Sequence, residues 1–301
     1  MNLLLTGSFK YTEEQLLVLK KLFSITFIDS EYDDVKNPAI YDAIICNSLF
    51  LYNDINKFLN LKFIQLTSAG YDRIDMGYCN SHNIKVMNAK GVYSVPMAEW
   101  VILKILEILK RSRHYYENQT IKKWEKRKDI LELNGKVATI AGFGSVGQEV
   151  AKRLKVFNVR INAVDIAKID SCYYDEFFMC GDIEFPLSIS EIVIVALPLN
   201  ANTKYLFTDK LFNIMKDDSI FINVSRGAII NEDIMIKYIS KFRGVALDVF
   251  EEEPLDIDSP LWGIDNVIIT PHISYISEQI NERLFNLLID NLKHEFNCLN
   301  L

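Results

Sequence analysis

The stretch from Lys136 to Asp165 constrains the fold more than any other part of the sequence. An apolar run, KVATI (136–140), leads into AGFGSVG (141–147), and a second apolar run, INAV (161–164), ends on Asp165. Strand, glycine-rich turn, helix and a second strand ending in an acid, in that order, make one βαβ unit with a phosphate cradle. Gly142 permits the tight turn, Gly144 lets a pyrophosphate approach the backbone, and Gly147 lets helix and strand pack closely. Ser145 and Val146 begin the helix, whose N-terminus offers N–H donors and the positive end of its dipole. Asp165 can accept hydrogen bonds from both hydroxyls of an adenosine ribose and repels a 2′-phosphate, which points to NAD rather than NADP; Lys168 is the only cation nearby. Glycine is scarce here, at 12 in 301 residues. That is about 4% against a usual ~7%, so the cluster marks a backbone requirement and not a compositional accident.

The same alternation continues on both sides. Asn2–Thr6, Ser24–Ile28, Ala43–Cys46, Lys62–Leu66 and Ile84–Met87 are short, strand-like apolar segments. Thr12-Glu-Glu-Gln15 reads as a capping box opening an amphipathic helix to about Phe23. Beyond the cradle, Val159–Val164, Ile192–Leu197, Ser219–Val224, Gly244–Val249 and Val267–Thr270 repeat the strand signal. Helices are expected at Ser145–Phe157 and Ser277–Phe296, and a single long one from Ala98 to about Tyr115, introduced by Pro96. The whole pattern is that of an α/β chain built on parallel sheets. Residues 117–132 are charged and carry Trp124.

Composition narrows the function. The chain of 301 residues corresponds to roughly two domains. Its 50% apolar and 24% charged content is globular and not disordered. No apolar run approaches the ~20 residues of a membrane helix. The start, MNLLLTGSFK, lacks the basic region and cleavage site of a secretory signal. A net charge of −7 argues against nucleic acid or an anionic membrane as the main partner. Cys46, Cys79, Cys172, Cys180 and Cys298 form no CxxC pair and no zinc-like spacing. Reduced thiols in the cytoplasm and no metal site are therefore expected.

Open α/β sheets place their sites at strand carboxyl ends. Three such loops carry reactive groups. FINVSRG (221–227) delivers Arg226, VALDVFEEEP (245–254) delivers Asp248 with Glu251, Glu252 and Glu253, and VIIT (267–270) is followed by Pro271 and His272. An arginine offers a planar fork to a carboxylate. A histidine exchanges a proton near neutral pH, and a neighbouring glutamate stabilises its imidazolium form. Each residue taken singly is equally an ordinary loop charge; their convergence on one nucleotide-binding sheet is what singles them out. His82, His114 and His294 read as ordinary surface residues.

These motifs resemble those of the NAD-dependent D-isomer-specific 2-hydroxyacid dehydrogenases, over nearly the whole chain. The cradle at 142–165, VALPLNANTKYLF (195–207), NVSRG (223–227), ALDVFEEEP (246–254) and TPH (270–272) follow that family's order and approximate spacing. So do TSAGYDRID (67–75), YSVPMAEW (93–100) and ELNGK (132–136) in their respective places. The resemblance implies that Arg226 grips the substrate carboxylate and polarises the C2 carbonyl. It makes His272 the general acid/base on the C2 oxygen and Glu253 its partner, with Glu251 and Glu252 as loop acids. Backbone N–H groups of Ala69 and Gly70 would help hold the carboxylate, Asp248 would bond the nicotinamide carboxamide, and Pro198, Val224 and Ser225 would line the cofactor. The reaction implied is hydride transfer between NAD(H) and a 2-oxo/2-hydroxy acid pair.

The same likeness implies a discontinuous two-domain chain. Residues 1–93 and 275–301 would form a flavodoxin-like substrate domain, and 94–274 a Rossmann NAD-binding domain, with the substrate in a cleft that closes on binding. Tyr275, where many family members carry small residues, is expected to alter the substrate pocket. Trp100, Val101, Leu103, Ile105, Leu106, Ile108 and Leu109 spread over much of one helix. This suggests a homodimer through the nucleotide domain, unless intrachain packing covers the face. Three other readings compete. Glu253 speaks against formate dehydrogenase, which uses glutamine there. A 3-phosphoglycerate dehydrogenase needs cations near the substrate loop, for which Arg73 and Lys10 are candidates. A non-catalytic, NADH-sensing corepressor or scaffold could keep the same residues.

Overall fold

In the computed structural model, which describes residues 1–296, the paired strands all run parallel and fall into two sheets. The chain divides into two units, Met1–Tyr93 with the stretch from Ser277 onward, and Ser94–Ile276.

The first unit contains β1 (Asn2–Thr6), α1 (Glu13–Leu22), β2 (Ser24–Ile28), β3 (Ala43–Cys46), β4 (Phe63–Leu66), α2 (Met76–Ser81) and β5 (Lys85–Met87). Its five strands lie in the order β2-β1-β3-β4-β5, the flavodoxin-like order. β3 and β4 are buried at every position. Strands covered on both faces need no polar alternation, which is why they read as continuous apolar runs. Thr12 caps α1 as its sequence requires: its Oγ1 accepts from Gln15 N at 3.2 Å, and Gln15 Oε1 accepts from Thr12 N at 2.9 Å. The C-terminal helix Ile280–Glu295 belongs here. Its Leu284, Leu288 and Leu292 share one apolar core with Leu3, Leu5 and Phe63.

The second unit runs through α3 (Ser94–Lys110), α4 (Ser112–Thr120), β6 (Val137–Ala141), α5 (Ser145–Val156), β7 (Arg160–Asp165), β8 (Glu176–Met179), α6 (Glu184–Ile189), β9 (Ile192–Val195), α7 (Asp209–Ile214), β10 (Ile220–Asn223), α8 (Glu232–Tyr238), β11 (Gly244–Leu247) and β12 (Val267–Ile269). The sheet order is β12-β11-β10-β9-β6-β7-β8. The chain steps outward from β6 to β8, returns to β6's other side at β9, and steps outward again to β12. This is the doubly wound Rossmann arrangement, and its order reverses between β6 and β9.

Two features depart from the sequence expectation. The single helix expected from Ala98 to Tyr115 is two helices, broken at Arg111, whose φ of 54° lies in the left-handed region. Tertiary contacts hold the break: Arg111 Nε donates to Asp129 Oδ2 and its Nη1 to the Arg243 carbonyl, each at 3.1 Å. β8 falls in a stretch where no strand was expected. It is an edge strand with no fully buried residue, so its sequence, EFFM, carries little periodic signal. Most of the apolar face of α3 is also accounted for within the chain. Trp100, Val101, Ile105, Ile108 and Leu109 join the core around β6 and α5, while Leu103 remains 50% exposed.

Candidate active site

The glycine turn sits where the second sheet reverses order, at the carboxyl ends of β6 and β9. Gly142 has φ +95°, and a Cβ there would lie 2.5 Å from the Ala196 carbonyl carbon. Backbone conformation and close approach thus both demand glycine. At Gly147 a Cβ would meet the Gly142 carbonyl oxygen at 2.2 Å, so α5 packs against the turn it springs from. Gly144 is different: a Cβ there would meet nothing within 4 Å. It N-caps α5 without any side-chain bond, leaving the first-turn N–H groups at Ser145 and Val146 for an incoming anion. An open space beside an uncapped helix N-terminus fits a dinucleotide's pyrophosphate.

Asp165 ends β7 and anchors the turn. Its Oδ2 accepts from Phe143 N at 2.8 Å and its Oδ1 from Ile166 N at 2.7 Å. Each oxygen keeps a further acceptor position for a hydroxyl. Pro198 is exposed on the loop after β9, whereas Val224 and Ser225 are buried after β10. Ser225 donates from both N and Oγ to Asn223 Oδ1, at 3.1 and 2.7 Å.

Three loops bring Arg226, Glu253 and His272 together. Arg226 follows β10, and Gly227 after it lets that loop press against the next one: a Cβ on Gly227 would lie 1.8 Å from the Phe250 carbonyl carbon. Arg226 Nη1 donates to the Ser225 carbonyl at 2.8 Å, and Asn223 Nδ2 donates to the Arg226 carbonyl at 3.1 Å. His272 Nδ1 and Glu253 Oε2 are 2.7 Å apart, and Glu253 Oε1 accepts from Phe250 N at 3.0 Å. Partial burial works against ionisation of Glu253. The His272 hydrogen bond, the Phe250 N–H and the charges of His272 and Arg226 outweigh it and hold the carboxyl below its usual range. An ionised Glu253 only accepts, so Nδ1 carries the donated proton and Nε2 is left for exchange. Glu251 is occupied elsewhere, with Tyr205 Oη donating to its Oε2 and Glu232 N to its Oε1, both at 2.7 Å.

His272 adopts φ +53°, unusual for a side-chain-bearing residue. Asp248 holds it there. This carboxylate has no exposed surface. Its Oδ1 accepts from Thr270 Oγ1 at 2.6 Å and Ile273 N at 2.9 Å, and its Oδ2 accepts from Ser274 N at 2.9 Å. Its backbone oxygen accepts from His272 N at 2.8 Å. Asp248 is therefore the anchor of the histidine loop, with one acceptor position left on Oδ2. Tyr275 lies edge-on to the imidazole, with ring centroids 5.9 Å apart and planes at 88°.

In the first unit, Ala69 and Gly70 follow β4. Ser68 Oγ donates to the Gly70 carbonyl at 3.2 Å and Asn88 Nδ2 to the Ala69 carbonyl at 2.6 Å. Their carbonyls are thus used internally. Sequence reasoning missed Asn223 and Thr270, which fix the Arg226 and His272 loops. The available signal was a polar residue closing each apolar strand run. Among the described residues no group of three or more His, Cys, Asp or Glu side chains is arranged to hold a metal ion, and no helix is long and apolar enough to cross a membrane. Cys298 lies outside the described residues.

Residues 102–274 match the family profile of the D-isomer specific 2-hydroxyacid dehydrogenase NAD binding domain. The glyoxylate reductase of Thermofilum pendens is 31% identical, over 77% of this chain and 71% of its own length. The hydroxypyruvate reductase of Thermotoga maritima is 29% identical, over 93% of this chain and 94% of its own. A solved glyoxylate reductase from Paecilomyes thermophila superposes with a TM-score of 0.86 at 23% identity, covering 97% of this chain and 94% of that one. The chain belongs to the D-isomer specific 2-hydroxyacid dehydrogenase family. It is an oxidoreductase of that reaction class, interconverting a 2-hydroxy acid and its 2-oxo acid with a nicotinamide dinucleotide.

If Asp248 anchors the His272 loop, Asp248→Asn sets an amide NH2 against either the Ser274 N–H or the Thr270 and Ile273 donors. Urea denaturation should then show a loss of about 1–3 kcal/mol, the cost of leaving a buried donor unpaired. A midpoint unmoved from wild type would refute the anchoring role.

Proposed function

We propose that Arg226, Glu253 and His272 carry out the reduction of a 2-oxo acid to the D-2-hydroxy acid, and its reversal. The observation that carries this reading is the 2.7 Å contact between His272 Nδ1 and Glu253 Oε2, beside an arginine whose charge also acts on Glu253. Arg226 binds the substrate carboxylate with its planar fork and draws electron density from the C2 carbonyl. His272 gives its Nε2 proton to the C2 oxygen in reduction and takes it back in oxidation. Glu253 keeps Nδ1 protonated, fixes the ring and stabilises the imidazolium form. The N–H groups of Ala69 and Gly70 add donors for the carboxylate. The unit 94–276 takes the dinucleotide, and the unit comprising 1–93 and the C-terminal helix takes the substrate.

The dinucleotide, when bound, supplies or accepts the hydride at C2. Gly142, Gly144, Ser145, Val146 and Gly147 would hold its pyrophosphate. Asp165 would hold the adenosine ribose, and Pro198, Val224, Ser225 and the Asp248 Oδ2 position would flank the remainder. The test is Arg226→Ala. NADH binding by fluorescence titration should survive, while 2-oxo acid reduction falls by at least about 1,000-fold, the scale of losing a buried charge-assisted clamp. Turnover near wild type would remove the assignment.

NAD is preferred over NADP in this reading, because the Asp165 carboxylate repels a 2′-phosphate. Asp165→Asn keeps an acceptor for the Phe143 N–H and removes the charge. The ratio of kcat/KM with NADPH to that with NADH should rise by about tenfold or more, equivalent to ~1.4 kcal/mol. A ratio unchanged from wild type would contradict it.

The protein is further proposed to be a cytoplasmic homodimer through the nucleotide unit. The unpaired thiols Cys46, Cys79, Cys172 and Cys180 support a reducing compartment. Support for the dimer comes less from the buried face of α3 than from apolar groups on and after it. Leu103 is 50% exposed, Tyr116 62%, Ile121 69% and Trp124 94%. Light scattering at micromolar concentration should give twice the 34.8 kDa chain mass; a single-chain mass would exclude the dimer.

A further inference from the structure

We propose that Tyr205 is a positioning residue for the proton exchange: through Glu251 it holds Glu253 in line with His272. This rests on the reaction assigned above and adds what keeps its acid/base pair aligned. Tyr205 lies on the loop after β9 with φ +53°, in the left-handed region that glycine enters freely and a bulky residue rarely does. A conformation of that kind persists only where its surroundings impose it, and it points to a use for the side chain found there. The backbone is held by Tyr205 N, which donates to the Ala228 carbonyl at 2.8 Å, two positions beyond Arg226. From that fixed point Tyr205 Oη reaches the loop after β11 and donates to Glu251 Oε2 at 2.7 Å. The hydrogen bond to Glu251, and then the charge of Glu251, push the phenol above its ordinary value, so the hydroxyl stays a donor.

Glu251 passes the constraint on. Its Oε1 accepts from Glu232 N at 2.7 Å, while Glu232 Oε1 accepts from Glu251 N at 2.6 Å. Each acid thus takes the other's backbone N–H, and the chain at Glu251 is gripped by its side chain and its amide together. Glu232 opens α8, six positions after Arg226, so this exchange ties the Arg226 loop to the Glu253 loop. Beside Glu251, the Phe250 N–H holds Glu253 Oε1 at 3.0 Å, which presents Oε2 to His272 Nδ1 at 2.7 Å. A shift of the backbone at Glu251 would carry the Phe250 donor and Glu253 with it. The Tyr205 hydroxyl closes this brace from a third loop. The loops after β9, β10 and β11 are in this way joined around the acid that serves the imidazole. What the hydroxyl adds is alignment, and alignment of reacting groups governs rate more than binding.

The test is a stopped-flow single turnover with NADH, using whichever of glyoxylate, hydroxypyruvate or pyruvate wild type reduces fastest, alongside steady-state KM and melting temperature. Tyr205→Phe removes the hydroxyl and leaves the ring and the bond to Ala228. Its single-turnover rate should fall about tenfold, with KM within about twofold of wild type and a melting temperature within about 3 °C. Glu251→Ala should lose at least as much, and adding Tyr205→Phe to it should cost nothing further, since both act through one carboxylate. Glu251→Gln should recover most of the rate, because its carbonyl oxygen still takes the Glu232 N–H and its amide can donate to the Tyr205 oxygen. A rate within about twofold of wild type in Tyr205→Phe, losses that multiply in the double variant, or a loss expressed in KM alone would each overturn the positioning role while leaving the reaction assignment standing. A wild-type enzyme that reduces none of the three acids overturns the assignment, and this role with it.

Discussion

The buried carboxylate of Asp248 is the constraint on which the rest of the site depends. Removing a carboxylate from water is costly unless its lone pairs are filled. Here Thr270, Ile273 and Ser274 occupy three of its four acceptor positions with a hydroxyl and two backbone N–H groups. These donors come from the loop that bears His272. Satisfying the charge at the end of β11 therefore dictates the path of the chain after β12. That path forces His272 to φ +53°, a conformation that such surrounding bonds must sustain. The imidazole is aimed by a neighbour's need for hydrogen bonds before its own partner, Glu253, is considered.

The charges of the site divide along similar lines. Three acids stand in a row at 251–253, and backbone geometry separates their roles. Glu251 is tied to Tyr205 and the Glu232 N–H. Glu253 alone reaches the imidazole and is held ionised by it, by the Phe250 N–H and by Arg226. Gly227 makes this arrangement possible, since any side chain there would push the Arg226 loop away from Phe250. The same economy operates at the glycine turn, where the two oxygens of Asp165 accept from the Phe143 and Ile166 N–H groups.

Much of this was legible in the sequence, for reasons visible in particular residues. The parallel strands were readable because burial on both faces leaves uninterrupted apolar runs, as in AIIC at β3 and IVIV at β9. The cradle was readable because glycine, helix start and acid each answer to a local requirement. Features set by distant contacts were not. Nothing local marks Arg111 as a helix break; the residues that hold it, Asp129 and Arg243, lie 18 and 132 positions away. β8 was hidden because an edge strand with partial burial needs no strong pattern. Asp248 was visible as a loop acid, but its donors sit 22 to 26 residues further on, so its anchoring work could not be read.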